Sequence, residues 1–97
     1  MNPMETTMAH ADETALQKLL PLLRQLREIK SLREKSPGTF YLKANAFIHF
    51  HDDAGTLYAD LKKTSGTGFD RYPVDTPTAQ RKLVDDAKRR AARHDED

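Results

Sequence analysis

TFYLKANAFIHFHDDAGTLYADLK, Thr39–Lys62, holds three short runs rich in β-branched and aromatic residues, TFYLK, AFIHFH and TLYADLK. KAN and DDAG, with the composition of turns, separate them, so the stretch reads as three antiparallel strands. Register decides whether the pattern is coherent, because a slip of one residue would turn every side chain to the other face. A three-residue loop Lys43–Asn45, with Asn45 left-handed, pairs Tyr41 with Phe47 and Phe40 with Ile48. A four-residue loop Asp52–Gly55 places Phe50 opposite Leu57 and His49 opposite Tyr58. Both loops give the same two faces. Phe40, Leu42, Ile48, Phe50, Leu57, Ala59 and Leu61 form a core face. Tyr41, Lys43, Phe47, His49, His51, Tyr58 and Asp60 form a mixed one.

Downstream, KKTSGTG is a turn segment, and FDRYPVD has the character of a fourth strand that Pro73 confines to a sheet edge. Thr76-Pro77 is an N-cap followed by a first-turn proline. Gln80, Leu83, Val84, Ala87 and Ala91 then make the inward stripe of a C-terminal helix, expected to fray over the acidic end, residues 94–97.

Upstream, Asp12 is a good N-cap, and Leu16, Leu19, Leu20, Leu22, Leu23, Leu26, Ile29 and Leu32 recur at helical spacing. Pro21 kinks or splits that helix, and Ser36-Pro37-Gly38 ends it. Residues 1–11 lack periodicity and read as a loose tail, with His10 solvated. The expected architecture is α+β: one domain over residues 12–93, with an N-terminal helix, an antiparallel meander of three to four strands and a C-terminal helix. Both helices pack on one face of the sheet. Unbroken from Asp12 to Lys35, the first helix would be about 36 Å long against about 20 Å for a strand. Its overhang, with Leu16, Leu19, Leu20, Leu23 and Leu26, predicts a homodimer interface.

Composition bounds the function. The 97 residues carry 16 basic and 15 acidic side chains, a formal charge of +1 that gives no reason to expect nucleic acid or an anionic membrane as partner. Zero cysteines exclude disulfides, thiolate metal sites and cysteine nucleophiles, and fit a cytoplasmic location. No apolar run approaches the roughly 20 residues that span a bilayer, and Met1–Ala11 lacks the basic-then-apolar order of a signal peptide. The chain reads as soluble and intracellular.

Three surfaces could carry chemistry. His49 and His51 alternate onto the same face, where two imidazoles can share a divalent metal, and Asp60 lies diagonally across as a third ligand. Their ordinary reading is a strand ending in the turn Asp53-Ala54-Gly55, and that reading is preferred because His10 and His94, the only other histidines, fall in tails. Tyr41, Phe47 and Tyr58 on this face could stack a ligand, with Lys43 nearby. However, residues 40–74 hold four basic and four acidic side chains, so there is no positive groove. On the C-terminal helix, Asp85 is spaced to pair with Arg81 and Arg89, and Asp86 with Lys82 and Arg90, the pattern of a solvated face. Ser36 and Ser65 sit in no nucleophile motif, no catalytic residue is assigned, and no cofactor is required. The leading expectation is a dimeric protein-interaction or accessory module, not an enzyme. A metal- or small-ligand-binding protein on the His49/His51 face, with enzymatic activity left open, is second, and weak nucleic-acid binding is third.

Overall fold

In the computed structural model, which describes residues 8–95, the chain runs β1 (Met8–His10), α1 (Glu13–Gln17), α2 (Leu20–Arg27), β2 (Leu32–Ser36), β3 (Thr39–Leu42), β4 (Asn45–Asp53), β5 (Thr56–Lys62), β6 (Phe69–Pro73) and α3 (Pro77–Asp95). Strands β2 to β6 form an antiparallel meander in chain order. β1 pairs with the C-terminal half of β4, on the edge that β3 leaves uncovered. The fold is α+β, as the pattern requires.

The leucine-rich segment is two helices, not one. Asp12 caps α1, its Oδ1 accepting from the Ala15 N–H at 2.9 Å. The break falls at Leu19, and Pro21 sits in the first turn of α2, where its missing N–H costs no hydrogen bond. The sequence from Leu32 to Ser36, expected to be the helix's end, is strand β2. LREKS has good helix formers, but pairing with the edge of β3 outweighs a propensity of a few tenths of a kcal/mol per residue. Arg27 at the end of α2 closes the corner. Its Nε and Nη2 donate to the Glu34 carboxylate at 2.5 and 3.0 Å, and this pairing holds the Glu34 carboxyl below its usual range.

With the helix split at Leu19 and ended at Arg27, the overhang disappears. Leu16, Leu19, Leu23 and Leu26 are buried within the chain, and Leu20 alone of the five expected interface leucines stays exposed, at 37 %. The loose tail is also shorter than expected, since Met8–His10 form β1 and the Ala11 N–H donates to the Phe50 carbonyl. At the other end α3 continues through His94, whose ring stands edge-on to Phe47 and whose Nε2 donates to the Lys63 carbonyl. The remainder of the two tails, residues 1–7 and 96–97, lies outside the described residues.

Two turns differ from expectation in a way that preserves the faces. Asp53 pairs with Thr56 across a two-residue turn in which Ala54 (φ 53°) and Gly55 (φ 92°) are both left-handed, the geometry that matches strand twist. Phe50 therefore faces Ala59 and His49 faces Asp60, a shift of two residues that leaves the alternation intact. Between β3 and β4, Phe40 pairs with Ile48 but Tyr41 pairs with Ala46, so Phe47 is a bulge residue. The bulge absorbs the residue assigned to a three-residue loop, and Lys43, not Asn45, takes the positive φ. It also turns Phe47 off the mixed face: its side chain is fully buried against α3.

The core face collects Phe40, Leu42, Ile48, Phe50, Ala59 and Leu61, joined by Leu22, Leu26, Leu83 and Ala87 from the helices in one cluster. Gly38, at the β2–β3 turn, has φ +78°, and a Cβ there would lie 2.8 Å from Leu16 Cδ2. Gly38→Ala is expected to cost about 1–2 kcal/mol in backbone strain, with the displacement of Leu16 added to it. Urea denaturation reads this directly, and an unchanged midpoint would contradict the left-handed turn.

Asp86 is the buried charge of α3, 5 % exposed. Burial pushes its carboxyl upward, but hydrogen bonds from Tyr72 Oη (2.6 Å), Lys82 Nζ (3.2 Å) and Arg89 Nη2 outweigh that and hold it below the usual range. Arg90, expected to pair with Asp86, reaches instead to Asp70 at 3.0 Å and the Lys62 carbonyl. A depressed carboxyl stabilises the fold above its unfolded pKa, and that stabilisation is lost as pH falls through the folded value. Tyr72→Phe removes one of the bonds that depress it. The acid-unfolding midpoint, followed by circular dichroism, is therefore expected to move to higher pH, and an unmoved midpoint would show that the Tyr72 bond is not needed.

Candidate metal centre

The sheet face opposite the core is where the remaining polar side chains meet. β4 carries His49 and His51 on alternate positions of this face, and the register sets Asp60 of β5 directly across from His49 and Arg71 of β6 directly across from Asp60. Three adjacent strands thus place four polar side chains side by side. The side chains of His49, His51 and Asp60 are 21 %, 20 % and 12 % exposed: half-buried, yet open to solvent on one side.

Their donor atoms converge. His49 Nδ1 lies 2.8 Å from His51 Nε2, His51 Nε2 lies 3.0 Å from Asp60 Oδ2, and His49 Nδ1 lies 3.9 Å from the same oxygen. A triangle with these sides has a point about 2.0 Å from each corner, which is the bond length of zinc to imidazole nitrogen and carboxylate oxygen. Two imidazole nitrogens at 2.8 Å need one proton between them, and a bound cation would take that proton's place.

Arg71 completes the arrangement from the side. Its Nε and Nη2 donate to Asp60 Oδ1 and Oδ2 at 3.0 and 3.2 Å, side-on, and the Asp60 carboxylate holds the guanidinium more firmly charged than usual. This pairing takes one lone pair from each carboxylate oxygen and leaves Oδ2 a second one toward the histidines. Metal-ligating carboxylates are commonly oriented in this way by an outer hydrogen bond. The guanidinium lies 5.5 Å from the centre of the Tyr58 ring, and the Phe69 ring sits 4.8 Å from that of His49, so aromatic rings flank the group.

No protein-family model, no curated protein and no solved structure matches this chain. The reading of the face therefore rests on its own geometry.

Of the six candidate ligand-binding residues, Tyr41, Phe47, His49, His51, Tyr58 and Asp60, the structure brings His49, His51, Asp60 and Tyr58 together. Tyr41 sits with Lys35, whose Nζ lies 4.6 Å from the ring centre, and Phe47 belongs to the core. Arg71 and Phe69 were not among the expected site residues. The signal was present in FDRYP: once that run is a strand beside TLYADLK, alternation puts Phe69 and Arg71 on the face of Asp60.

Proposed function

We propose that this protein binds a divalent transition metal through His49, His51 and Asp60, with Arg71 holding Asp60 in place. The observation that carries the reading is the convergence of the three donor atoms on a point about 2.0 Å from each, a distance that matches zinc–ligand bonds. Two imidazoles and one carboxylate suit zinc, and the same donor set with open positions also serves non-haem iron(II). Hard cations that prefer all-oxygen sites are disfavoured by the two nitrogens. With no cysteine in the chain, a cytoplasmic location remains the reading from composition.

Equilibrium dialysis of the full chain against zinc tests this. One zinc bound per chain, lost in the double variant His49→Ala, His51→Ala, is the expected result. Binding unaffected by the double change would place the metal elsewhere.

A dimeric interaction module is the second reading. It rests on Leu20, which is exposed at the edge of a shallow groove lined by Leu16, Leu23 and Pro37. A wild-type dimer that Leu20→Asp converts to monomer, read by light scattering, would support it, and a wild-type monomer would remove it.

A further inference from the structure

We infer that the exposed face of α3 binds duplex nucleic acid, holding its phosphate backbone through Arg81, Lys82, Lys88, Arg89 and Arg93. This surface is separate from the metal centre, and the failure of either leaves the other standing. The first ground is segregation of charge, which the formal value of +1 conceals. Residues 40–74 balance four basic with four acidic side chains, and residues 95–97 add three acidic ones. Residues 77–94 carry six basic side chains and two acidic ones.

Placement of the side chains is the second ground. The spacing predicts that Asp85 and Asp86 neutralise the helix, and the structure realises half of that. Asp86 is buried and accepts from Tyr72, and the exposed Lys82 and Arg89 share its one carboxylate. Among the described residues, no ion pair joins Asp85 to Arg81 or Arg89, and none is made by Lys88 or Arg93. All five cations are exposed, while Leu83, Val84, Ala87 and Ala91 hold the other side of the helix in the core. Lys30, just past α2, lines a shallow groove together with Lys88 and extends the positive face beyond α3.

The third ground is the chemistry of the partner. From Arg81 to Arg93 the helix rises about 18 Å, a length over which duplex DNA presents on the order of ten phosphates. Three of the five cations are arginines, whose planar forks match phosphate oxygens. A basic helix that lies on a lipid surface buries an apolar face beneath its charges, and the apolar face of α3 is already in the core. Between Arg81 and Arg93 the exposed side chains include one apolar residue, Ala92, and no aromatic ring on which the bases of a single strand could stack. The surface therefore suits the backbone of a duplex.

The test is fluorescence anisotropy of a labelled DNA duplex of about 20 base pairs, titrated with the full chain at about 50 mM salt and above. Binding in the micromolar range that weakens steeply with salt is the expected result. The triple variant Arg81→Ala, Lys88→Ala, Arg93→Ala leaves the Asp86 group intact. It should lower affinity at least roughly tenfold and flatten the logarithmic salt dependence by about three. Asp85→Asn removes the exposed acid among the cations and should raise affinity by roughly threefold, a gain that misfolding cannot produce. Absence of salt-sensitive binding by the wild-type chain would overturn the surface. Binding that neither variant changes would place the contact elsewhere on the chain and overturn it as well. Tighter binding to phosphatidylserine vesicles than to the duplex would give the face to lipid and overturn the nucleic-acid reading.

Discussion

Phe50→Ala is expected to destabilise the fold by about 3–5 kcal/mol, the cost of removing a large buried aromatic from a core that relaxes only in part. Phe50 is 1 % exposed at the centre of β4, opposite Ala59, and its carbonyl accepts from Ala11. Its ring faces the helices, and Ile48 and Leu61 belong to the same cluster. Small domains have little stability in reserve, so a loss of this size takes most of it. Urea denaturation of Phe50→Ala beside His49→Ala separates the two faces of one strand. The histidine change, on a half-buried surface, should cost less than about 1 kcal/mol, in line with substitutions outside the core. Equal losses at the two positions would contradict the assignment of faces on which the metal centre depends.

His51→Ala is expected to lower zinc affinity by roughly a hundredfold or more. Changes to residues that merely orient a ligand already cost about ten- to a hundredfold, and His51 is a ligand itself. His51 is the central corner of the triangle, 2.8 Å from His49 Nδ1 and 3.0 Å from Asp60 Oδ2. Its loss leaves two donor atoms 3.9 Å apart and opens the group to water. Arg71→Ala should weaken zinc less than His51→Ala does, since it frees Asp60 to turn without removing a ligand. Calorimetric titration of both variants checks the order. Arg71→Ala as damaging as His51→Ala would mean that Asp60 cannot ligate without its guanidinium partner.

The sheet and its two faces were legible because alternation survives errors in loop length. Assigning four residues to the β4–β5 turn instead of two moved every pair by two positions and left His49, His51 and Asp60 on one side. The bulge at Phe47 was not legible, because a bulge adds a residue without any mark in composition and reverses the face of the side chain it carries. Nor was β2: LREKS has helical propensity, and only the neighbouring edge of β3 makes it a strand. That one segment decided the dimer expectation, since a single long helix leaves leucines uncovered and two short ones fold them inward.

The candidate site was half legible. The spacing of His49 and His51 gave the pair, but whether their nitrogens meet depends on side-chain rotation, which no spacing records. Arg71 depended on the register of an edge strand reached through the glycine-rich segment 63–68, where the number of loop residues is free. A cross-strand partner of that kind is found only once both strands are placed.

The most direct measurement is a zinc-soaked crystal of the full chain, with diffraction collected on either side of the zinc absorption edge. A metal centre on this face predicts one anomalous peak about 2.0 Å from His49 Nδ1, His51 Nε2 and Asp60 Oδ2. A well-ordered face with no peak among these three atoms, or with zinc bound only at another surface, would contradict it.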